Sequence, residues 1–475
     1  MGNAVGQPND SLIAMQDLAA LLKGICGEKF VFTDREYLLN YETDQTMNLR
    51  YPFDILIKPA FAREISEILK VCNQYNIPVT PRGGGSGVTG GALPVMGGVV
   101  LSLERLNRIV CINKLESYVI AESGVVTADL CKAVEEEGLY FPVLPSSGAY
   151  SFVGGNVAEN AGAINSCKYG NIGAYVLNME VVLPTGEIIW TGANVSKSAT
   201  GLNLTPFFVG SEGILGIITQ VVLRLLPPCL PEVQLLASFN KLENACNAVQ
   251  DIKGACLSPA AVELIGKNAI TMTAGFLAEP LPLVTPDVTA HLLIGLQEYH
   301  PDVLHRSLEK LVTLIAKYTD NDVLVAETTL EKEQLSKLRF NIGNAMTSGG
   351  RNYRDIDACI PVGALYNYIR RVEDICAGNN LSLVFFGHAL DGNLHTMIVM
   401  DETQLAGQTP TLDKAVDGIY EYAISLGGVI SGEHGIGSLQ KPYLKWQFSP
   451  TQLSLMRRLK SFFDPNGILN PGKIL

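Results

Sequence analysis

Histidine, aspartate and glutamate in the C-terminal third could perform metal and acid–base chemistry together. Two of the six histidines, His388 and His395, flank the dipeptide Asp391-Gly392. Apolar runs on both sides of this dipeptide predict a β-hairpin with a two-residue turn. In that register His388 faces His395, with Cβ atoms about 5 Å apart on one face of the sheet. Two neutral imidazoles so placed can share one divalent metal ion such as zinc.

A second motif follows at residues 431–437, Ser-Gly-Glu-His-Gly-Ile-Gly, and it places Glu433 next to His434. Neighbours on a regular strand point to opposite faces. The surrounding glycines permit an irregular backbone on which both side chains turn toward one site. Structural packing is the alternative interpretation of the histidine pair, and this second motif favours the site. The other three histidines, 291, 300 and 305, lack such a context and are predicted to be ordinary core or surface residues.

The sequence of residues 331–347 predicts one helix with an arginine on its buried stripe. Helical spacing places these residues on a common face: Leu335, Arg339, Ile342, Gly343 and Met346. An arginine there can extend its guanidinium to solvent. It can also bind a carboxylate through two hydrogen bonds.

Three clusters of small residues occupy the N-terminal half. The first is PRGGGSGVTGG at residues 81–91. Successive backbone N–H groups of such a run form a concave anion site, because glycine adds no Cβ to block it. No Gly-Lys-Ser/Thr follows, so this is not a Walker A loop, and it does not fit a GxGxxG that opens a helix. A flexible linker is the alternative, which Arg82, Thr89 and the flanking apolar segments disfavour.

The other two clusters lie farther along the same half. One spans residues 145–170, with Pro-Ser-Ser-Gly, Gly-Gly-Asn and Lys-Tyr-Gly, and the other is Gly-Ser-Glu-Gly-Ile-Leu-Gly at 210–216. Each cluster alone would be weak evidence. Together they indicate several loops that converge on one extended ligand.

The elements that must position these residues follow from apolar periodicity and turn residues. Helices are predicted at 10–25 (with a cap at Asp10 or Ser11), 62–75 and 127–137. Strands are predicted at 77–80, 98–103, 117–122 and 217–225, and a hairpin at 176–190. The proline pair at 227–228 indicates a domain boundary.

Together the motifs resemble the FAD-linked oxidases of the vanillyl-alcohol oxidase/PCMH superfamily, in its D-lactate, glycolate and D-2-hydroxyglutarate dehydrogenase branch. The resemblance covers residues 30–475 and includes GGNVAENAGA, GSEGILG and FDPNGILNPGK. It implies an α+β chain, in which a PCMH-type FAD-binding domain of two subdomains carries an inserted α+β cap (substrate) domain. The expected segments are an N-terminal helical segment at 1–50, the FAD-binding domain at 51–228, the cap at 229–425, and at 426–475 a C-terminal return to the FAD domain.

The resemblance also implies which residues contact FAD. They are Pro81, Arg82, Gly83, Gly84, Gly85, Ser86, Gly87, Ser147, Gly154, Gly155, Asn156, Glu212, Gly213, Ile218 and Asn470. Many superfamily members tether the flavin through a histidine or cysteine in these loops. This chain has no histidine before His291, and Cys167 matches no such position, so we expect non-covalent FAD.

For the C-terminal third, the resemblance implies a divalent metal, zinc or manganese, on His388, His395 and Glu433. It implies that His434 is the catalytic base. One departure is visible, because Leu390 stands where the family motif HAGDGN has glycine. This change could alter the substrate pocket.

Substrate contacts are implied for Arg339, which matches the arginine that binds the substrate carboxylate, and for Asn393 and Arg354. Relatives often carry a lysine near the last of these. Alignment from Arg339 places Arg354 at that lysine, whereas alignment from Pro361 places Asp355 there. Hydroxyglutarate-oxidising relatives also have threonine where this chain has glycine at position 343.

We therefore expect FAD- and metal-dependent oxidation of a D-2-hydroxy acid to the 2-oxo acid. The differences from relatives at the lysine position and at Gly343 favour D-lactate or glycolate as substrate. D-2-hydroxyglutarate is a further candidate. The alternatives are a non-redox enzyme related to the ether-lipid synthases and a non-catalytic flavin subunit of a larger complex. A phenol or sugar-alcohol oxidase is a further alternative, which would not need the metal site.

Composition limits the partners. The 475 residues are 47% apolar with a net charge of −12, which disfavours nucleic acid as a partner. The ten cysteines form no CxxC pair, so an iron–sulfur cluster is disfavoured, and electrons are expected to leave to a quinone, a separate carrier or a partner subunit. No apolar run is long enough to span a bilayer. We expect a cytoplasmic protein, free or peripheral to the membrane, with a homodimer as one assembly to consider.

Overall fold

A computed structural model describes residues 13–228, 231–278, 282–348, 352–400 and 409–475. Within these ranges the chain forms three sheets with helices packed on them, which confirms the α+β class. Short 3-10 helices lie at Glu28–Phe30, Leu39–Tyr41, Ile172–Ala174, Val362–Ala364 and Lys441–Tyr443. In the described part of the chain, no helix is both long and apolar enough to cross a membrane.

The first sheet has four short strands and a mostly parallel arrangement. In spatial order they are β1 (Val31–Phe32), β2 (Ile55–Ile57), β4 (Val99–Ser102) and β3 (Val79–Arg82). Its helices are α1 (Met15–Cys26), α2 (Arg35–Leu38) and α3 (Ala62–Gln74). The predicted stripe of α3, from Ile65 to Cys72, is fully buried against this sheet, so the helical spacing was correct. The predicted cap at Asp10 or Ser11 lies outside the described residues.

The second sheet is antiparallel and has five strands. In spatial order they are β5 (Ile109–Asn113), β6 (Tyr118–Glu122), β9 (Ile217–Arg224), β7 (Val176–Val182) and β8 (Ile188–Trp190). Its helices are α4 (Thr127–Glu136), α5 (Val153–Glu159), α6 (Ser166–Tyr169) and α7 (Thr205–Phe208). The strands and the hairpin predicted between 98 and 225 are all present.

The third sheet has seven strands, all antiparallel. In spatial order they are β13 (Val323–Ala326), β10 (Glu232–Phe239), β12 (Ala290–Gln297), β11 (Pro259–Gly266), β15 (Ser382–His388), β16 (Asn393–Met400) and β14 (Asn352–Cys359). One face packs on α8 (Leu242–Gly254), α10 (Pro301–Ile315), α13 (Leu365–Gly378) and α14 (Thr409–Ser425). The other face packs on α9 (Lys267–Leu277), α11 (Thr329–Phe340) and α12 (Ile342–Thr347).

The single helix predicted at 331–347 is wrong, because the chain breaks at Asn341 between α11 and α12. Asn341 leaves the helical conformation and caps both helices. The break places Arg339 in the last turn of α11, at the end that faces the sheet.

The C-terminal segment first packs on the third sheet and then returns to the first. Helices α15 (Leu444–Gln447) and α16 (Pro450–Phe463) follow the loop that contains Glu433. Beyond them, Leu469 forms a parallel bridge with Val79, and the Asn470 N–H donates to the Val79 carbonyl at 2.7 Å. The tail therefore ties the first sheet to the third.

Candidate active site

Four adjacent strands of the third sheet carry a row of polar side chains on one face. Glu263 on β11 is the register partner of His388 on β15, and His395 on β16 is the partner of Asp357 on β14. All four residues are buried. Directly opposed side chains share a sheet face. The strand order therefore brings together residues that are far apart in sequence.

Two imidazoles and one carboxylate of this region face a common point. The Nε2 atom of His388 lies 3.4 Å from Oε1 of Glu433, and the Nε2 atom of His395 lies 3.3 Å from the same oxygen. The two imidazole rings are 5.6 Å apart and nearly perpendicular. Two imidazole nitrogens and a carboxylate oxygen are a donor set that zinc and similar divalent ions prefer. The residues present therefore fit a metal ion.

The hairpin that carries the two histidines is present, but its predicted register is wrong. His388 opposes Asn393, and His395 opposes Phe386. Residues 389–392 connect the strands, so the loop has four residues rather than two. The Ala389 N–H donates to the Val262 carbonyl of β11, which ends the pairing with β16 early. The histidines are diagonal neighbours on one face and still meet.

Asp357 fixes the loop that carries Glu433 and His434. Its Oδ2 atom accepts hydrogen bonds from the backbone N–H groups of residues 432–434 and from the Ser431 hydroxyl, all at 2.8–2.9 Å. Its Oδ1 atom accepts a hydrogen bond from the Asn393 amide at 2.7 Å. This carboxylate imposes the irregular backbone expected from the glycines, and it turns two consecutive side chains toward one site.

A second set of residues could also hold a cation. Asp357, His395, Glu433 and His434 offer ligand atoms within 4.8 Å of one another. Asp357 already accepts five hydrogen bonds, and His434 Nδ1 is engaged by a carboxylate at 2.9 Å. The set of His388, His395 and Glu433 fits better, because its Nε2 and Oε1 atoms face one another.

His434 is oriented by a carboxylate and by an aromatic neighbour. Its Nδ1 lies 2.9 Å from Oδ2 of Asp355, and its ring stacks on His395 at 5.0 Å. Burial lowers the pKa of His434, but the negative charges of Asp357 and Asp355 outweigh it and raise that pKa to about 10. A nearby cation favours the neutral form of an imidazole. Metal binding at Glu433 would therefore bring His434 toward the form that a base requires.

Arg339 is connected to His388, one of the candidate metal ligands, through one buried carboxylate. Its Nε donates to Oε2 of Glu263 at 2.5 Å, and Oε1 of Glu263 lies 2.5 Å from Nδ1 of His388. Burial raises the pKa of Glu263, but the charges of His388 and Arg339 outweigh it and lower that pKa to about 2. The guanidinium lies over the ring of Phe386, 4.6 Å from its centre. Among the described residues, none bonds to its two terminal nitrogens, which leaves them for a carboxylate.

The structure does not bring Arg354 to this cluster. Successive side chains of a strand point to opposite faces, so Arg354 lies on the other face from Asp355. Burial raises the pKa of Tyr420 and Tyr443 in the opposite core, and Arg354 is the cation that opposes this rise. Its expected contact with substrate is therefore corrected. Asn393 does lie at the cluster, where it holds Asp357.

The glycine run forms a cradle of backbone donors. In the described part of the chain, the N–H groups of residues 83–89 have no hydrogen-bond partner. The Arg82 guanidinium lies beneath the run, where a methyl group on Gly85 would overlap it. A Cβ on Gly83 would touch Cα of Gly155 at 3.7 Å, so the first and second clusters meet as expected. A concave row of free N–H groups fits a diphosphate.

The remaining residues expected around FAD divide into two sets. Some join the loops: a Cβ on Gly213 would lie 2.8 Å from the Pro81 ring, and the Asn470 amide donates to the Glu212 carbonyl at 2.7 Å. Others stabilise the loops through their own contacts. Gly154 packs on Ser123, and the Asn156 amide donates to Thr127 and Ser151. The Ser147 carbonyl accepts from the N–H groups of Tyr150 and Ser151, and Ile218 lies in the core.

Glu263 and Asp357 were not foreseen as site residues, and Asp355 was considered only as the alternative to Arg354 at the lysine position of the relatives. Glu263 is a single carboxylate inside the apolar strand Pro259–Gly266, which is an unusual place for a charge. Asp355 and Asp357 alternate with apolar or outward residues at period two, which is the pattern of one strand face. Both signals were present in the sequence.

Two family models and several curated relatives match this chain. The family model of the C-terminal domain of FAD-linked oxidases matches residues 231–474, and that of an FAD-binding domain matches residues 53–192. The glycolate oxidase subunit GlcD of Bacillus subtilis is 35% identical over 92% of each chain. A D-lactate dehydrogenase of Anaerostipes hadrus is 34% identical over 89% of each chain.

Solved structures show the same fold at lower identity. The chain superposes on p-cresol methylhydroxylase with a TM-score of 0.80, 17% identity, and 97% and 96% of the two chains covered. For an alkyldihydroxyacetonephosphate synthase the TM-score is 0.72 at 16% identity, with 97% of this chain and 85% of that chain covered. At these identities, the structural similarity shows a shared fold.

Proposed function

Because the chain belongs to the FAD-linked oxidases and has the PCMH-type fold that its motifs predict, we propose that it oxidises a small D-2-hydroxy acid to the 2-oxo acid. We prefer D-lactate and glycolate over D-2-hydroxyglutarate as substrates of this class, and D-2-hydroxyglutarate is a further candidate. The named activities of the relatives, glycolate oxidase, D-lactate dehydrogenase and D-2-hydroxyglutarate dehydrogenase, support this class of substrate.

The observation that carries the proposal is the convergence of His388, His395 and Glu433 beside His434. Glu433 Oε1 is within 3.4 Å of both Nε2 atoms. A buried carboxylate between two imidazoles, next to a third imidazole, suits the removal of a proton from a bound hydroxyl. A purely structural role would not require a second carboxylate, Glu263, to connect this cluster to Arg339.

Arg339 would bind the substrate carboxylate through its two terminal nitrogens. Glu263 holds the guanidinium at Nε and holds His388 at Nδ1, so one carboxylate sets the position of both groups. His434 would accept the hydroxyl proton at Nε2, because Asp355 occupies its Nδ1. The C2 hydrogen would leave with its electron pair as hydride, so one proton and one hydride are removed as the carbonyl forms.

Two absent groups complete the site. FAD, in the cradle of residues 83–89, would supply the two-electron acceptor for the hydride. A divalent ion, zinc or manganese, on His388, His395 and Glu433 would supply Lewis-acid chemistry that lowers the pKa of the substrate hydroxyl. Asp357 and Glu263 would hold the ligands of that ion in place.

An anaerobic visible spectrum of the purified, metal-loaded protein tests the proposal. We expect a flavin band that D-lactate or glycolate bleaches. Chelation should abolish the bleaching, and zinc or manganese should restore it. Protein denatured in acid should release its flavin, as expected for non-covalent FAD.

Two results would contradict the proposal. Full turnover in a sample that elemental analysis shows to be metal-free would remove the metal from the reaction. A flavin band that persists with D-lactate, glycolate and D-2-hydroxyglutarate alike would favour the non-redox alternative.

A further inference from the structure

Only one of the two carboxylate oxygens of Asp355 has a hydrogen-bond partner among the described residues. Its Oδ2 contacts His434 Nδ1 at 2.9 Å, whereas its Oδ1 is buried and has no hydrogen-bond partner among the described residues. Asp357, two residues farther along β14, has both oxygens bonded. A buried acceptor without a donor destabilises the folded state, because it has lost its hydrogen bonds to water. The free oxygen of Asp355 is therefore a place where a ligand's donor would gain binding energy.

The neighbours of Asp355 belong to the apolar cluster that also contacts Arg339. Its register partner on β16 is Met397, and Tyr353 shares its strand face. Met397 belongs to the apolar cluster of Phe386, and Tyr353 packs against that cluster. The Arg339 guanidinium lies over the ring of Phe386. Asp355 is thus a polar group that contacts the proposed base and lies beside the apolar cluster that the proposed carboxylate anchor also contacts.

The charges around Asp355 disfavour a second negative group. In the part of the chain that the structure describes, no lysine or arginine forms an ion pair with it, and its partner is His434. The charge of Arg339 is already paired with Glu263 at 2.5 Å. Arg354 points to the other face. A second substrate carboxylate would approach Asp355 without a dedicated cation, and like charges repel at such a distance.

We propose that Asp355 Oδ1 accepts a hydrogen bond from a donor on C3 of the substrate. The site then selects a D-2-hydroxy acid with a C3 hydroxyl group over one with a second carboxylate. This inference rests on the proposed function and names the substrate class of the same site.

Rates of anaerobic flavin reduction in the metal-loaded holoenzyme test the selection. The probes are D-glycerate, which has the C3 hydroxyl, D-lactate, which lacks it, and D-2-hydroxyglutarate. A hydrogen bond to a charged group predicts that kcat/KM for D-glycerate exceeds that for each of the other two by about 10- to 100-fold. Asp355→Asn retains an acceptor for His434 and removes the charge. It should reduce the advantage over D-2-hydroxyglutarate by about tenfold.

The control is Asp374→Asn, which removes an exposed carboxylate from α13 and should leave all three ratios unchanged. If Asp355→Asn slows every acid by the same factor, Asp355 only positions His434 and the inference fails. A wild-type preference for D-2-hydroxyglutarate would also overturn it. These outcomes leave the proposed function intact, whereas a flavin that none of the acids bleaches contradicts the function itself.

A second readout needs no turnover. Binding of hydroxypyruvate and of 2-oxoglutarate, followed by the shift of the flavin spectrum, should favour hydroxypyruvate in the wild type. Tighter binding of 2-oxoglutarate would overturn the selection even if a variant at Asp355 failed to fold.

Discussion

The cradle of residues 83–89 and the cluster of His388, His395 and Glu433, the candidate metal site, are constructed in opposite ways. In the cradle, backbone donors are left without partners, and glycines keep side-chain atoms away from them. At the cluster, both oxygens of the supporting carboxylates Asp357 and Glu263 are bonded, and Asp357 alone accepts five hydrogen bonds. An extended anion needs a row of free hydrogen-bond donors, whereas a metal ion needs a few ligands whose orientations are fixed by hydrogen bonds.

This difference predicts how each region fails. The cradle should lose FAD binding when side-chain atoms are added, because those atoms would occupy the space that the diphosphate needs next to the free N–H groups. The cluster should lose its function when atoms are removed, because its contacts are what position the ligands. Variants of the two types should therefore separate FAD binding from catalysis.

The largest effect is expected for His434→Ala. Removing a general base lowers rates by about 10²–10⁴-fold, and stopped-flow flavin reduction measures the loss. FAD content should stay at the wild-type value, since the cradle is untouched. His305→Ala, at an exposed histidine of the same domain, is the control and should react normally. A His434→Ala enzyme with a near-normal rate would show that another group takes the proton.

The next effect is expected for Asp357→Asn, which replaces an acceptor of several N–H groups by an amide. Loss of a residue that supports metal ligands typically lowers metal affinity by about 10- to 100-fold. Metal titration followed by elemental analysis measures the change, with Asp374→Asn at an exposed position of α13 as the control. Unchanged metal affinity would mean that the Glu433 loop keeps its shape without this carboxylate.

Gly84→Ala tests the opposite kind of damage. The new methyl group would overlap the Tyr150 carbonyl of the neighbouring loop. Relief of such crowding costs about 1–3 kcal/mol, which we expect to appear as a 10- to 100-fold weaker FAD complex. Gly275→Ala in α9, where a methyl group meets nothing within 4 Å, is the control. Metal binding should be unaffected, and equal FAD affinity in both variants would contradict the cradle.

The sequence predicted local structure well where the pattern and its cause lie close together. The stripe of α3 and the hairpin of β7 and β8 follow from periodicity and turn residues within a few positions. The register of His388 and His395 does not, because the bond from Ala389 to the distant Val262 carbonyl decides it. Local turn rules contain no information about that third strand.

The candidate site shows the same limit. The motifs marked His388, His395, Glu433 and His434, and the structure brings these four together. Glu263 and its contact to His388 span 125 positions in the chain, so no local pattern joins them. The prediction that Arg354 contacts substrate failed because side chains alternate between the two faces of a strand. Once Asp357 is assigned to the site face, the same alternation assigns Arg354 to the opposite face.

The smallest effect is expected where the two regions meet, at the buried carboxyls of Glu159 and Glu212. A methyl group on Gly435 would overlap Glu159 Oε2 and lie 3.1 Å from Glu212 Oε1, so the two carboxyls are neighbours beside the loop that carries His434. Burial raises the pKa of Glu212 from 4.5 to about 7, and burial together with Glu212 raises the pKa of Glu159 well above 4.5.

A raised pKa in the folded state means that the folded chain keeps protons which the unfolded chain releases above its pKa of 4.5. The associated stability is fully present below that pH and is lost as the pH rises through about 7. Glu159→Gln resembles the protonated form and cannot ionise. Its Tm relative to wild type should therefore rise by a few degrees between about pH 5 and pH 8.

Thermal unfolding of the FAD-loaded protein at the two pH values measures this difference. Glu28→Gln, at a carboxylate whose side chain is 87% exposed, is the control and should show the same Tm difference at both. A constant difference for Glu159→Gln as well would mean that the pair is equally protonated throughout the range. In that case neither Glu159 nor Glu212 changes its protonation state between about pH 5 and pH 8.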